Sequence, residues 1–143
     1  MRELILVAQE TTRYGIDLYG KKSLCELLRR LCAIEELSWI RLLYCYPEEI
    51  DDELIETIAT EKKICHYLDM PIQHCEDRIL AAMGRASRKK ELTETIEKLR
   101  TRIPDICLRT TLLTGFPGET EEEFEQTKRM IEQVGFARIH VFP

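Results

Sequence analysis

Residues 106–124 read ICLRTTLLTGFPGETEEEF and place a strand pattern, a tight turn and a helix start in immediate succession. Residues 106–113 are mostly aliphatic and β-branched, which is typical of a buried strand. The glycines and proline of residues 115–118 predict a turn, and Thr120 with Glu123 has the spacing of a capping box at a helix start. A strand followed directly by a helix is the repeating unit of parallel α/β folds.

The same succession of strand and helix recurs along the rest of the chain. Strand patterns are predicted at residues 3–8, 39–44, 67–70, 106–113 and 137–142. Helical apolar stripes lie between them at Leu24, Leu27, Leu28, Leu31 and Ile34; Leu54, Ile55 and Ile58; Leu92, Ile96, Leu99 and Ile103; and Phe124, Ile131 and Val134. Ser23 with Glu26 has the spacing of a second capping box. We therefore predict an α/β fold with a parallel sheet of about five strands.

Length and composition limit which classes of protein this chain can belong to. A chain of 143 residues with 44% hydrophobic content predicts one domain, residues 1–143. No apolar run approaches the roughly 20 residues of a membrane span, and the first residues do not resemble a signal peptide, so we expect a soluble, cytoplasmic protein without a membrane partner. The net charge of −5, with basic residues dispersed among acids, argues against a nucleic-acid partner.

The six cysteines are expected to be reduced thiols in a cytoplasmic protein. They are Cys25, Cys32, Cys45, Cys65, Cys75 and Cys107. No two are separated by only two or three residues, so neither a CxxC zinc site nor a CxxxCxxC iron–sulfur loop is present, and we predict no metal ligand. Cys45 follows a strand, but no adjacent cation or histidine is visible to lower its pKa, which favours a core position over a catalytic nucleophile.

A ligand site is predicted where the strands end. Periodicity does not distinguish an open sheet from part of a barrel, but in both the ligand lies at the carboxyl ends of the strands. Those ends carry residues 9–15, 44–47, 71–74 and 115–119, and Pro143, which are rich in glycine, proline, amides, hydroxyls and aromatic rings. Residues 115–118 are not a phosphate-binding P-loop, because no Gly-Lys-Ser/Thr follows and the next helix begins with glutamates. The alternative is a tight turn into a capped helix.

Two strand-end features remain open to more than one interpretation. Arg109 is a charge inside an otherwise apolar strand, and it needs either a ligand carboxylate or a protein acid such as Asp69. Gln73 and His74 could hydrogen-bond a bound nucleoside or simply stabilise a turn.

Four stretches together resemble the radical S-adenosylmethionine (SAM) methylthiotransferases. They are LVAQETTRYG at residues 6–15, LLYCYP at 42–47, YLDMPIQH at 67–74 and RTTLLTGFPGE at 109–119. They occur in this order over essentially the whole chain. The wording TTRYG and PIQH is closer to the branch that modifies a ribosomal protein than to the sister branch that modifies tRNA.

The resemblance implies a partial (β/α)6 barrel, of which residues 1–143 supply strands two to six. The first strand with its CxxxCxxC loop, an N-terminal methylthiotransferase domain and a TRAM domain are expected to lie outside this chain. The implied cofactors are SAM and a 4Fe-4S cluster, the latter in the full-length parent only. The resemblance further implies that the SAM site is lined by Gln9, Thr11, Gln73, Arg109, Thr111, Gly115, Phe116, Pro117, Gly118 and Glu119.

The implied reaction adds a methylthio group to the β-carbon of an aspartate in a ribosomal protein of the small subunit, and this chain alone is expected to be inactive. Two alternatives are part of a tRNA methylthiotransferase and a non-enzymatic interaction domain derived from the same barrel. Open strand edges at residues 3–8 or 137–142 also predict self-association.

Overall fold

Five parallel strands form one sheet, in the order β1-β2-β3-β4-β5, in the computed structural model, which describes residues 2–143. The strands are β1 (Glu3–Leu6), β2 (Trp39–Leu42), β3 (Ile64–Asp69), β4 (Cys107–Leu113) and β5 (Arg138–Phe142). The predicted α/β class and parallel sheet are confirmed. The third strand begins three residues earlier than predicted, because Ile64 pairs with Ile40 of β2 although polar Cys65 and His66 interrupt the apolar pattern.

Helices connect the strands. They are α1 (Ile16–Tyr19), α2 (Leu24–Cys32), α3 (Asp52–Thr60), α4 (Asp77–Ala82), α5 (Lys89–Arg102) and α6 (Glu121–Val134), with short 3-10 turns at Thr11–Arg13 and Pro47–Glu49. No helix within residues 2–143 combines the length and the apolar character that crossing a membrane requires.

The helices cover one face of the sheet with apolar side chains. Ile40, Leu68 and Leu108 of three adjacent strands are buried on this face, where they join Leu28 of α2 and Leu99 of α5 in one core. Burial of one such side chain contributes about 1.5–3 kcal/mol. The helices therefore pack on the sheet through their apolar stripes. Successive strand residues alternate between faces, so the residues between these apolar positions point to the opposite side.

The opposite side of the sheet is polar, and we call it the polar face. It carries Glu3, Arg41, Tyr67, Asp69, Arg109 and Thr111. Charged residues on strands of a parallel sheet are unusual, since both faces of such a sheet are normally apolar. The polar face therefore leads to the candidate site.

The two predicted capping boxes have different outcomes. The Thr120 hydroxyl accepts a hydrogen bond from the Glu123 amide, and the Glu123 carboxylate accepts one from the Thr120 amide, so this box is confirmed. The box at Ser23 is wrong. Its hydroxyl donates instead to the Lys21 carbonyl at 3.2 Å, a local acceptor that competes with the role of helix cap.

Candidate functional site

A cavity of about 560 Å³ opens at the carboxyl edge of the sheet, and we call it the rim cavity. Residues that follow β1, β2 and β3 line it together with residues within β4 and β5: Ala8, Gln9, Tyr44, Tyr46, Pro71, Gln73, Arg109, Thr111, His140 and Phe142. Its volume lies within the range of small-molecule sites, and its lining combines aromatic rings with a few polar groups. Such a cavity at this edge of a parallel sheet is the expected position of a ligand.

Two residues of the rim cavity have left-handed backbone conformations that non-glycine residues rarely adopt. Tyr44 has φ of 55° and Gln73 has φ of 66°. Gln73 is held by two backbone hydrogen bonds of 2.9 Å, one to the Thr111 carbonyl and one from the Leu113 amide. Each such conformation costs about 1–3 kcal/mol and persists where the surroundings enforce it, commonly at functional sites.

Arg109 has a protein partner on the neighbouring strand. Its Nη1 donates to Asp69 Oδ1 at 2.5 Å, and the side chain of Asp69 is only 2% exposed. The Asp69 carboxylate is also 3.4 Å from the backbone amide of Tyr44. A protein acid is thus the partner of Arg109. Because a guanidinium has five N–H groups and Arg109 lines the rim cavity, it also retains donors for a ligand.

A second polar contact crosses β1, β2 and β3. Arg41 Nε donates to Glu3 Oε1 at 2.7 Å, and the Arg41 guanidinium carbon lies 4.8 Å from the centre of the Tyr67 ring. Burial is the main cause that raises the pKa of Tyr67, so its phenol stays protonated at neutral pH. Sequence reasoning did not select Arg41 or Tyr67, although the charge of Arg41 within a predicted strand was an available signal.

Glu10 was also missed by sequence reasoning, and it joins two loops of the rim. Its Oε1 accepts a hydrogen bond from the Thr12 amide at 2.9 Å, and its Oε2 accepts one from the Tyr46 amide at 3.0 Å. Burial raises the pKa of this carboxyl, and these hydrogen bonds oppose that effect. Glu10 therefore fixes the loop after β1 against the loop after β2, which carries two tyrosines of the rim cavity.

The structure divides the ten predicted site residues into groups. Gln9, Gln73, Arg109 and Thr111 lie together in the rim cavity. Thr11 does not line it. It is buried, and its hydroxyl donates to the Leu43 carbonyl at 2.5 Å. Thr11 therefore holds the loop after β1 against the end of β2.

The predicted turn at residues 115–119 is stabilised by its own carboxylate. Glu119 Oε2 accepts hydrogen bonds from the amides of Gly115 at 2.6 Å and Phe116 at 3.2 Å, while Glu119 Oε1 lies 3.1 Å from His74 Nε2. His74 Nδ1 accepts from the Glu76 amide, which leaves the ring proton on Nε2 to donate to Glu119. The network thus orients the Glu119 carboxylate towards the turn.

The backbone of this turn is exposed beside a smaller recess. Gly115 and Glu119 line that recess together with Thr114, Thr120, Glu121 and Phe124, and it is separate from the rim cavity. Phe116, Pro117 and Gly118 line neither space. Gly115 and Gly118 have φ of 71° and 85°, which glycine adopts without strain and which permits a close approach of backbone to a ligand.

The cysteines are free thiols in different parts of the fold. Within residues 2–143, no group of three or more histidine, cysteine, aspartate or glutamate side chains is arranged to hold a metal ion. Cys45 is fully buried, and desolvation raises the pKa of its thiol far above the ordinary range. A raised pKa suppresses the thiolate, which disfavours Cys45 as a nucleophile.

Relatives with high identity match nearly the whole chain. The ribosomal protein uS12 methylthiotransferase RimO of Lachnoclostridium phytofermentans is 61% identical over 142 residues, which are 99% of this chain and 32% of that protein. RimO of Clostridium kluyveri is 54% identical with the same coverage. The chain thus spans about a third of the length of the curated relatives it matches.

Solved structures share the fold at low sequence identity, and a family model matches most of the chain. The radical SAM methyltransferase TsrM of Kitasatospora setae, with cobalamin and a [4Fe-4S] cluster bound, superposes with a TM-score of 0.71 at 19% identity, over 97% of this chain and 27% of that one. Coproporphyrinogen III oxidase (HemN) of Escherichia coli, a radical SAM enzyme, gives 0.67 at 19% identity, over 82% and 27%. The model of the radical SAM superfamily matches residues 3–131. The chain therefore belongs to the radical SAM superfamily.

Proposed function

We propose that this chain is the SAM-binding part of a radical SAM methylthiotransferase that modifies ribosomal protein uS12. The observation that carries the proposal is the 61% identity, over 99% of this chain, to a relative with that activity in its name. The rim cavity supports it, because it lies at the edge of the sheet where α/β enzymes bind their ligands.

The residues of the rim cavity fit SAM by their chemistry. SAM combines an adenine, hydroxyl groups and an amino-acid end, and when bound it would supply the radical chemistry of the superfamily. We assign the amides of Gln9 and Gln73 and the hydroxyl of Thr111 to its polar groups, and Arg109 to its carboxylate. The rings of Tyr44 and Tyr46 offer apolar surface for the adenine.

The remaining predicted site residues would act through the backbone or as supports. We assign the backbone of Gly115, Phe116, Pro117 and Gly118 to the edge of the SAM site, since two positive-φ glycines leave it open to a ligand. Glu119 would hold that turn in shape, and Thr11 would hold the loop after β1.

The residues of this chain do not fit an iron–sulfur cluster, which needs several thiolates within reach of one another. We therefore assign no cluster ligand to it and expect residues 1–143 alone to be inactive. Anaerobic reconstitution of this chain with iron and sulfide should give no stoichiometric cluster. A visible spectrum of cluster type, with matching iron and sulfide contents, would contradict this.

The proposed substrate is the aspartate of uS12 whose β-carbon receives the methylthio group. The test uses the full-length protein that carries this chain, reconstituted with its cluster, and offers it SAM, reductant, a sulfide source, and uS12 or tRNA. We expect mass spectrometry to find one methylthio group on the uS12 aspartate. Modification of tRNA instead would support the sister activity, and absence of reductive SAM cleavage would support a non-enzymatic domain.

A further inference from the structure

Arg138 lies on the polar face of the sheet, directly beside Arg109. The register between β4 and β5 pairs Arg109 with Arg138 and Thr111 with His140. His140 and Phe142 line the rim cavity, and alternate residues of a strand share a face, so Arg138 points to the same side as they do. It lies one step further from the carboxyl edge than His140.

The charges on the polar face leave Arg138 without a counter-ion. Arg41 is paired with Glu3 at 2.7 Å, and Arg109 is paired with Asp69 at 2.5 Å. In the part of the chain that the structure describes, Arg138 has no ion pair and no side-chain hydrogen bond. Like charges directly opposite each other on neighbouring strands repel, so an anion beside Arg109 and Arg138 would stabilise this arrangement.

The shape of the guanidinium indicates the kind of anion. Its planar fork matches a carboxylate with two parallel hydrogen bonds, which adds orientation as well as affinity. Two carboxylates occur in the proposed reaction, one on SAM and one on the substrate aspartate. Arg109 lies in the rim cavity among the residues assigned to SAM. Arg138 is its neighbour on β5 but does not line that cavity, so it is free for the second carboxylate.

We propose that Arg138 binds the side-chain carboxylate of the substrate aspartate and thereby selects an acidic substrate. This inference rests on the proposed function. The contact would hold the carboxyl group next to the β-carbon that reacts, beside the rim cavity. It would also favour the aspartate over an uncharged acceptor, such as an asparagine or a nucleobase, because only the carboxylate forms charge-assisted hydrogen bonds with the guanidinium.

The experiment compares substrate binding by variants of the full-length, cluster-loaded protein. Its probes are two fluorescent peptides of the uS12 segment around the acceptor, one with aspartate and one with asparagine at that position. We expect the wild type to prefer the aspartate peptide by about ten- to a hundredfold. Arg138→Gln should bind the two peptides about equally, and Arg138→Lys should keep only part of the preference. Arg129→Gln on exposed α6 is the matched control and should behave as the wild type.

The outcomes separate this inference from the function on which it rests. SAM affinity, measured by equilibrium dialysis, and the melting temperature should stay unchanged in Arg138→Gln, since this exposed side chain has no partner in the fold. If the wild type binds the peptides and Arg138→Gln retains the preference for aspartate, the role of Arg138 is wrong. If Arg138→Gln loses SAM affinity but keeps the preference, Arg138 serves the SAM carboxylate and the assignment is also wrong. If the wild type binds neither peptide, the proposed function fails together with this inference.

Discussion

Asp69 Oδ1 accepts a hydrogen bond from Arg109 Nη1 at 2.5 Å, between the positions that the register of β3 and β4 places side by side. Asp69 is almost fully buried, and its other carboxylate oxygen lies 3.4 Å from the amide of strained Tyr44. One carboxylate therefore supports both a guanidinium of the rim cavity and the backbone that shapes it. This contact couples the stability of the sheet to the geometry of the candidate site.

Arg109→Met should destabilise the protein because it leaves the buried Asp69 carboxylate without its cation. Breaking a buried pair costs about 3–5 kcal/mol, and we expect about 2–3 kcal/mol here because water reaches the Arg109 side chain. Urea unfolding monitored by circular dichroism measures this loss. The double variant Arg109→Met, Asp69→Asn should recover part of the stability, since the uncompensated charge is then absent.

Arg109→Met should also weaken SAM binding by about tenfold in the folded, cluster-loaded full-length protein, the effect of losing one charge-assisted hydrogen bond. Equilibrium dialysis on the preparation used for unfolding separates the two roles. Lost stability with unchanged SAM affinity would remove Arg109 from the SAM site.

Glu119→Gln should loosen the turn at residues 115–119. The carboxylate accepts hydrogen bonds from Gly115 and Phe116 on one oxygen and lies against His74 on the other, so an amide would place an N–H against a donor. We expect a loss of about 1–3 kcal/mol, typical of one unsatisfied buried donor. Glu122→Gln, at an exposed position in the first turn of α6, is the control and should change the unfolding midpoint little. Equal stability of the two variants would contradict the role of Glu119.

Glu10 predicts a pH dependence of stability. Burial raises the pKa of its carboxyl above the ordinary value of 4.5, so the folded state binds this proton more tightly than the unfolded state does. The contribution of Glu10 is therefore most favourable below that value and declines as pH rises through the folded pKa. Glu10→Gln lacks this titration. Its free energy of unfolding, relative to the wild type, should increase as the pH rises above the ordinary pKa of 4.5 and through the higher folded pKa.

Chemical denaturation at several pH values measures that difference directly. Thr12→Val keeps the ionisable carboxyl and removes one of its hydrogen-bond donors, so it is a useful control. It should retain the decline in stability with rising pH. Parallel pH profiles for the wild type and Glu10→Gln would show that the carboxyl does not titrate differently in the folded state.

The β5 edge should promote self-association of the isolated chain of residues 1–143. All five residues of β5 are exposed, including Val141 at 50% and Phe142 at 51%, and an exposed apolar edge strand is a template for pairing with another chain. Light scattering over a range of concentrations should show a rising mean mass. Val141→Lys should reduce it, whereas Ile34→Lys, an exposed position away from the sheet, should not. A compact monomer at high concentration would contradict the expectation.

The sequence alone determined the order and parallel arrangement of the elements, because local periodicity and strand–helix alternation leave few topologies. The apolar runs identified β1, β2, β4 and β5 to within two residues at each boundary. The start of β3 was missed, because Cys65 and His66 are tolerated by pairing with neighbouring strands that a local pattern does not contain. The predicted strand ends also placed Gln9 and Gln73 at one edge, since parallel strands end together, whereas Arg109 and Thr111 entered the predicted site through the family resemblance.

Only the tertiary structure decided which side chains use their polar groups within the protein. Arg109 had two possible partners in the sequence, and the register of β3 with β4 supplies Asp69. Thr11 was grouped with the ligand residues, but its hydroxyl is taken by the Leu43 carbonyl, 32 positions away in the chain. Likewise, Arg138 lies beside Arg109 but has no counter-ion among residues 2–143, because Glu3 pairs with Arg41 and Asp69 pairs with Arg109. The partners of a charged side chain are its neighbours in space, and these neighbours lie far from it in the sequence.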